Sequence, residues 1–133
     1  MKILFVCSGN AYRSPLAEAL LKKMRPDLQV DSAGTLPEYR ISREAREYSA
    51  KQNSANQLKK APEGLETKLL IDYDLIVVME EVHKLAVLNR CPKCGDKIDV
   101  WNIEDLGLNQ PEYVEIINEQ IRQKVKELSA SLS

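Results

Sequence analysis

The chain has 133 residues and a mass of 15.1 kDa, enough for one ordinary domain and too little for two independent cores. At 44% hydrophobic and 29% charged residues with a net charge of −1, it is neither a disordered tail nor a basic nucleic-acid module. No apolar run approaches the roughly 20 residues of a membrane span, and the opening run Ile3-Leu4-Phe5-Val6-Cys7 is shorter than the core of a signal peptide, about 7–15 residues.

Residues 2–6 are apolar and run into Ser8-Gly9-Asn10, which predicts a buried strand ending in a loop. The segment SPLAEALLKKM from Ser14 reads as a helix with a capping serine and proline at its first position, and Leu16, Ala19, Leu20 and Met24 form one stripe. Residues 29–34 read as a second strand, while 41–52 and 64–71 read as helical. Asp74 to Met79 is the other strong buried strand, followed by a helix from about Glu80 to Asn89. Pro92-Lys93-Cys94-Gly95 makes a turn before an edge strand at 98–101. Pro111 opens a terminal helix with Tyr113, Ile116, Ile117, Ile121, Val125 and Leu128 on its buried side. No internal repeat or Gly/Ser-rich linker divides the chain. The expected fold is α/β: one domain over residues 1–133, three layers α/β/α, with a central four-stranded parallel sheet in the flavodoxin-like order 2-1-3-4.

Ligands of such sheets bind beyond the carboxyl ends of the strands, where strand order reverses. The segment Cys7-Ser8-Gly9-Asn10-Ala11-Tyr12-Arg13-Ser14 lies at such an end, between a strand and a helix N-terminus. Successive backbone N–H groups there can face inward as an anion cradle. Gly9 permits close backbone approach, and Asn10 tolerates the left-handed conformation. Arg13 supplies a two-pronged donor for phosphate oxygens. The positive field favours the thiolate of Cys7 as a nucleophile, and Ser14 can donate its hydroxyl proton to it. A buried core thiol and a solvated arginine are the plain alternatives, but the joint spacing weighs against them.

The string FVCSGNAYRSPLAEAL resembles the signature of the low-molecular-weight protein tyrosine phosphatases, whose fold also includes arsenate reductases. Asp31-Ser32-Ala33-Gly34-Thr35 and Tyr73-Asp74-Leu75-Ile76-Val77-Val78-Met79-Glu80 are similar to two further motifs of that family. The resemblance implies hydrolysis of protein phosphotyrosine, or another aryl phosphate, through a phosphocysteine on Cys7. Arg13 and the loop of Ser8, Gly9, Asn10, Ala11, Tyr12 and Ser14 would hold the phosphate, and Asp105 would serve as general acid. It implies no cofactor or metal, a phosphorylated protein as substrate, and phosphate as product. Three departures stand out. Leu106 follows Asp105 where the family has proline, and Tyr12 replaces a second cysteine common in relatives. Ala11 matches neither the bulky aliphatic residue that goes with phosphotyrosine nor the threonine that goes with phosphoarginine. Tyr39 is the expected aromatic wall for the substrate ring, with a partly exposed loop tyrosine as the alternative.

Three cysteines are an odd, sparse set, so the protein reads as cytoplasmic with reduced thiols. Cys91 and Cys94 form half of a zinc knuckle, a turn able to close into a local disulfide, or two plain thiols. His83 reads as a helix-surface histidine, with a zinc site shared with that pair as a remoter reading. Other classes consistent with the loop are an arsenate reductase using Cys91 and Cys94 as redox relay, a protein phosphoarginine phosphatase, a phosphocarrier domain and a non-enzymatic phosphate sensor.

Overall fold

The computed structural model describes residues 1–132. Its centre is a four-stranded, wholly parallel sheet of β1 (Lys2–Cys7), β2 (Gln29–Gly34), β3 (Leu75–Val78) and β4 (Ile98–Val100), in the order β2-β1-β3-β4. The four-stranded parallel sheet expected from the alternation of apolar runs and helical patterns is present, in the expected flavodoxin-like order. β1 pairs with β2 from Lys2↔Gln29 to Cys7↔Gly34 and with β3 from Ile3↔Leu75 to Val6↔Val78. Being central, it is buried on both faces, which is why its sequence is a continuous apolar run.

Alternate side chains of β1 feed two separate cores, as the two-residue period of a strand requires. Ile3, Phe5 and Cys7 join Leu16 and Leu20 of α1 (Arg13–Met24) and Ile117, Ile121 and Val125 of α4 (Pro111–Ser131). Leu4 and Val6 face the other way, against Leu65, Leu70, Tyr73 and Val87. Val87 belongs to α3 (Glu81–Arg90), so α1 and α4 cover one face while α3 and short 3-10 turns cover the other. Helix α2 (Arg43–Lys51), capped by the Ser42 hydroxyl, also packs on α1.

Several local expectations need correction. Residues 64–71 form only 3-10 turns, at Leu65–Thr67 and Leu70–Asp72. Leu65 and Leu70 are their buried residues, too widely spaced for one helical stripe. Helix α1 begins at Arg13 with Tyr12 as its cap residue, so Ser14 lies inside the first turn and does not cap it, and Pro15 is not the first helical residue. On α4, Ile116 is 46% exposed and Tyr113 half-buried, because residue 116 is turned about 100° from the buried Ile117. Met24 likewise leaves its stripe and is exposed.

The Cys91–Cys94 pair is closed as a disulfide with a Cα separation of 5.4 Å, rather than held as free thiols. Among the described residues no helix is long and apolar enough to cross a membrane.

Candidate active site

β1 lies at the switch point: the chain leaves it through α1 toward β2 on one side and returns to β3 on the other. The loop from Ser8 to Tyr12 sits at that crevice, where a ligand can reach both the loop backbone and the start of α1. Its carbonyls are turned outward. The Cys7, Ser8, Gly9 and Ala11 oxygens accept from the amides of Thr35, Leu36, Glu38 and Ser42 at 2.9–3.0 Å. The amides of residues 8–12 donate to no acceptor among the described residues. A loop with its acceptors tied back and its donors free presents positive potential to an anion.

Two residues make this loop geometry possible. Asn10 sits at φ 51°, in the left-handed region that asparagine tolerates. Gly34, at the end of β2, leaves room for the loop to lie against it. A Cβ there would come within 2.5 Å of the Ser8 carbonyl oxygen and 2.9 Å of the Asn10 nitrogen.

The Asn10 side chain, fully buried, uses all of its hydrogen-bonding capacity. Its Nδ2 donates to Ser14 Oγ at 2.8 Å and Ser32 Oγ at 2.9 Å. Its Oδ1 accepts from Lys59 Nζ at 2.9 Å and the Glu63 amide at 2.8 Å. Ser32 in turn donates to the buried carboxylate of Glu18 at 2.6 Å, which also holds Lys22. Ser14 Oγ lies 2.9 Å from Cys7 Sγ. With one Ser14 lone pair taken by Asn10, the hydroxyl proton is free to point at the sulfur, an arrangement suited to a thiolate acceptor. Ser14 and Cys7 are thus in contact, without the capping role expected of Ser14.

Arg13 is 4% exposed and held from one side only. Its Nη1 donates to Glu80 Oε1 at 2.6 Å and to the Ile103 carbonyl at 2.7 Å. Nε and Nη2 donate to nothing among the described residues, leaving one edge of the fork for oxygens in the cavity. That cavity, of about 660 Å³, is lined by Cys7, Ser8, Gly9, Ala11, Tyr12 and Arg13, together with Leu36, Ile41 and Leu108. Asp105 lies on its rim. The Asp105 carboxylate accepts from the Gly107 amide at 3.1 Å, with Gly107 at φ 87°. The turn that a proline would stiffen is here closed by the side chain itself. Asp105 is both the turn residue and a lining residue.

Tyr39 is not brought into the site. It is 100% exposed and does not line the cavity; Leu36, Ile41 and Leu108 make the apolar walls instead. Tyr12 contributes its backbone to the loop, while its hydroxyl donates to Asn118 Oδ1 and the Val114 carbonyl of α4. Burial, with the Glu44 carboxylate nearby, pushes that phenol above its ordinary value.

His83 is the clearest departure from expectation. It is 1% exposed, at the N-terminus of α3 beneath the loop, and not on the helix surface. Its Nδ1 accepts the Glu80 amide at 3.0 Å, so its proton sits on Nε2, which donates to Ser8 Oγ at 2.9 Å. Burial, reinforced by the Arg13 guanidinium and opposed by Glu80, pushes its pKa down to about 4. No sequence signal marks it, since a lone histidine three residues into a helix looks solvated. Glu80 and Lys59 were equally hidden in ordinary charge runs.

The disulfide lies far from all of this. Helix α3 starts beside the loop and runs ten residues to Arg90, a length of about 15 Å. Cys91 and Cys94 follow its distant end. Cys7 and the pair therefore stand at opposite ends of α3, farther apart than the Cα separation of about 4.4–6.8 Å in a formed disulfide. His83 is also remote, eight residues from Cys91 and about 12 Å along the helix, so a zinc shared with the pair has no geometric basis.

A thiol and an arginine flanking a loop of free amides, at the switch point of a parallel sheet, define an α/β protein with an anion-receptive loop beside a thiol. A sequence profile of the low molecular weight phosphotyrosine protein phosphatases matches residues 2–133, and the chain belongs to that family. It is 37% identical over 100 residues to the low molecular weight protein-tyrosine-phosphatase Wzb of Salmonella typhi, covering 73% of this chain and 66% of that protein. The chain thus spans just under two thirds of the length of that relative. Among solved structures, Wzb of Vibrio vulnificus in complex with benzylphosphonate superposes with a TM-score of 0.86 at 28% identity, covering 98% of each chain. The low molecular weight protein tyrosine phosphatase of T. tengcongensis gives a TM-score of 0.88 at 26% identity, covering 99% of each.

Proposed function

We propose that residues 1–133 act as one domain that hydrolyses phosphotyrosine on proteins through a phosphocysteine. Cys7 thiolate attacks phosphorus and the bond to the tyrosine oxygen breaks, with Asp105 giving its proton to that oxygen. Asp105, now a carboxylate, takes a proton from water as the water attacks phosphorus. The S–P bond breaks, phosphate leaves and the thiolate is restored. The free amides of the loop and the open edge of Arg13 hold the equatorial oxygens as charge redistributes. The observation that carries this reading is the Ser14 hydroxyl 2.9 Å from Cys7 Sγ, at the floor of a cavity with Asp105 on its rim.

Leu36, Ile41 and Leu108 give an aryl group an apolar surface, and Arg40, Arg43 and Arg46 of the same lining, outnumbering Glu38, repel a charged guanidinium. YwlE arginine phosphatase of Geobacillus stearothermophilus shares the fold, with a TM-score of 0.83 at 24% identity. Ala11 offers no polar contact that would select its substrate. The arsenate-reductase reading loses its support with the remoteness of Cys91 and Cys94.

The test compares phosphotyrosine, phosphoarginine, arsenate and 4-nitrophenyl phosphate as substrates of the wild type, Cys7→Ser and Asp105→Asn. Cys7→Ser should abolish turnover while retaining phosphate affinity. Asp105→Asn should slow phosphotyrosine by about 10²-fold or more, and 4-nitrophenyl phosphate, with its better leaving group, by less. Full activity of Cys7→Ser, or equal slowing of both substrates by Asp105→Asn, would refute the corresponding role.

A further inference from the structure

A second cavity, of about 510 Å³, adjoins the first. Arg40, Ile41 and Arg46 line both, so the two share a wall. Lys59 and Lys60 complete its charged lining, and no carboxylate lines it. The four cations differ in how they are engaged. Lys59 is committed inward, to Asn10, to the Ser32 carbonyl at 2.9 Å and to Glu63 at 2.7 Å, and contributes only its charge. Arg46 gives Nη1 to the Ile41 carbonyl at 2.7 Å and pairs with no carboxylate among the described residues. Arg40 and Lys60 are exposed and form neither a hydrogen bond nor an ion pair among the described residues. The neighbouring Arg43, which does not line this second cavity, leans toward Glu44 at 3.7 Å and Glu47 at 3.6 Å. Three uncompensated cations in one concavity repel one another and raise the local concentration of anions. In a chain of net charge −1, such a cluster is not a reflection of composition.

We propose that this cavity is an anion subsite for the same substrate chain, taking an acidic side chain or a second phosphate close to the phosphotyrosine. The proposal rests on the phosphatase reading and names its substrate class. A residue within three positions of the phosphotyrosine lies inside about 10 Å of extended chain, a range suited to two cavities that share a wall. Each exposed pair with Arg40, Arg46 or Lys60 is weak alone, so the expected gain is about fivefold to tenfold in kcat/KM at low salt, expressed mainly in KM.

The experiment uses three phosphotyrosine peptides that differ only in flanking residues: alanine, glutamate, or a single phosphoserine. Hydrolysis by the wild type, Lys60→Glu and Arg40→Gln is measured at low and high salt. Turnover of 4-nitrophenyl phosphate by each variant normalises for general damage. Binding of the same peptides to Cys7→Ser ranks them without turnover. The glutamate and phosphoserine peptides should outperform the alanine peptide, lose that advantage at high salt, and lose it selectively in the variants. An advantage confined to the phosphoserine peptide supports the subsite and assigns it to phosphate. Equal affinity and equal kcat/KM for all three peptides, or an advantage unchanged by both substitutions, overturns it. Absence of turnover on every substrate refutes the phosphatase reading, and the binding ranking still decides the subsite.

Discussion

His83 offers a stability measurement that isolates one buried contact beneath the loop that follows β1. The sequence contains one histidine, so no other imidazole obscures its titration. Protonation would place an N–H at Nδ1 against the Glu80 N–H that it now accepts at 3.0 Å, and a positive charge beside Arg13. The native imidazole titrates at about 4 against 6.5 for an ordinary one. Because the native value is the lower, the stability held at neutral pH declines as pH falls through 6.5, where the unfolded chain begins to bind the proton. The loss is complete once pH drops below the native value. Over that whole window it amounts to about 3 kcal/mol, and between about pH 7 and pH 5 to about 2 kcal/mol. Asp31 and Glu63 do not confuse this range. Burial opposes their ionisation, but Lys68 and Lys59 outweigh it and hold both carboxyls below their ordinary values. Their contribution is lost only at more acid pH. Urea unfolding of the wild type and His83→Asn at both pH values gives the difference. The wild type should lose about 2 kcal/mol more than the variant on acidification. Equal losses, or an imidazole NMR titration centred near 6.5, would refute the neutral, Nε2-protonated assignment and with it the orientation of Ser8.

Other outcomes follow from the supports of the loop. Gly34→Ala should cost about 1–3 kcal/mol in urea unfolding and sharply reduce kcat/KM on 4-nitrophenyl phosphate, since its methyl group meets backbone at 2.5 Å; unchanged kinetics would show that the loop tolerates displacement. Lys59→Met should lower stability by about 2 kcal/mol and weaken phosphate affinity, because it strips Asn10 Oδ1 and Ser32 of a charged donor. Excess peroxide should carry Cys7 past the sulfenic acid to the sulfinic acid, seen as two added oxygens by mass spectrometry and not reversed by thiols. The only other cysteines are joined to each other beyond the distant end of α3. A disulfide to Cys7 would contradict that geometry.

The candidate loop was legible because everything it needs locally lies in one string, from the apolar β1 through Cys7 and Gly9 to Arg13 at the start of α1. The parallel sheet covered by helices followed from similarly local evidence, the alternation of buried strands with helical patterns; the order 2-1-3-4 came with the flavodoxin-like fold expected for such a chain and is the one observed. Reading failed where spacing along the chain says little about neighbours in space. His83 meets Ser8 across 75 residues, and Lys59 meets Asn10 across 49. Tyr39 sat in a suitable loop, yet its own loop turned it to solvent while Leu36 and Ile41 took the walls. The 3-10 turns at 65–72 looked helical because their leucines are buried by the sheet rather than by a helical stripe.

Local chemistry therefore determined which groups make up the proposed site: a thiol, a guanidinium and a run of amides on one short stretch of chain. Tertiary structure decided how those groups are held. The outward anchoring of the loop carbonyls on residues 35–42, the clearance at Gly34, the one-sided grip of Glu80 and Ile103 on Arg13, and the neutral imidazole under Ser8 all depend on parallel strands bringing distant segments to one sheet end. Burial sets the protonation of His83, and burial is a property of packing that no short stretch of sequence contains.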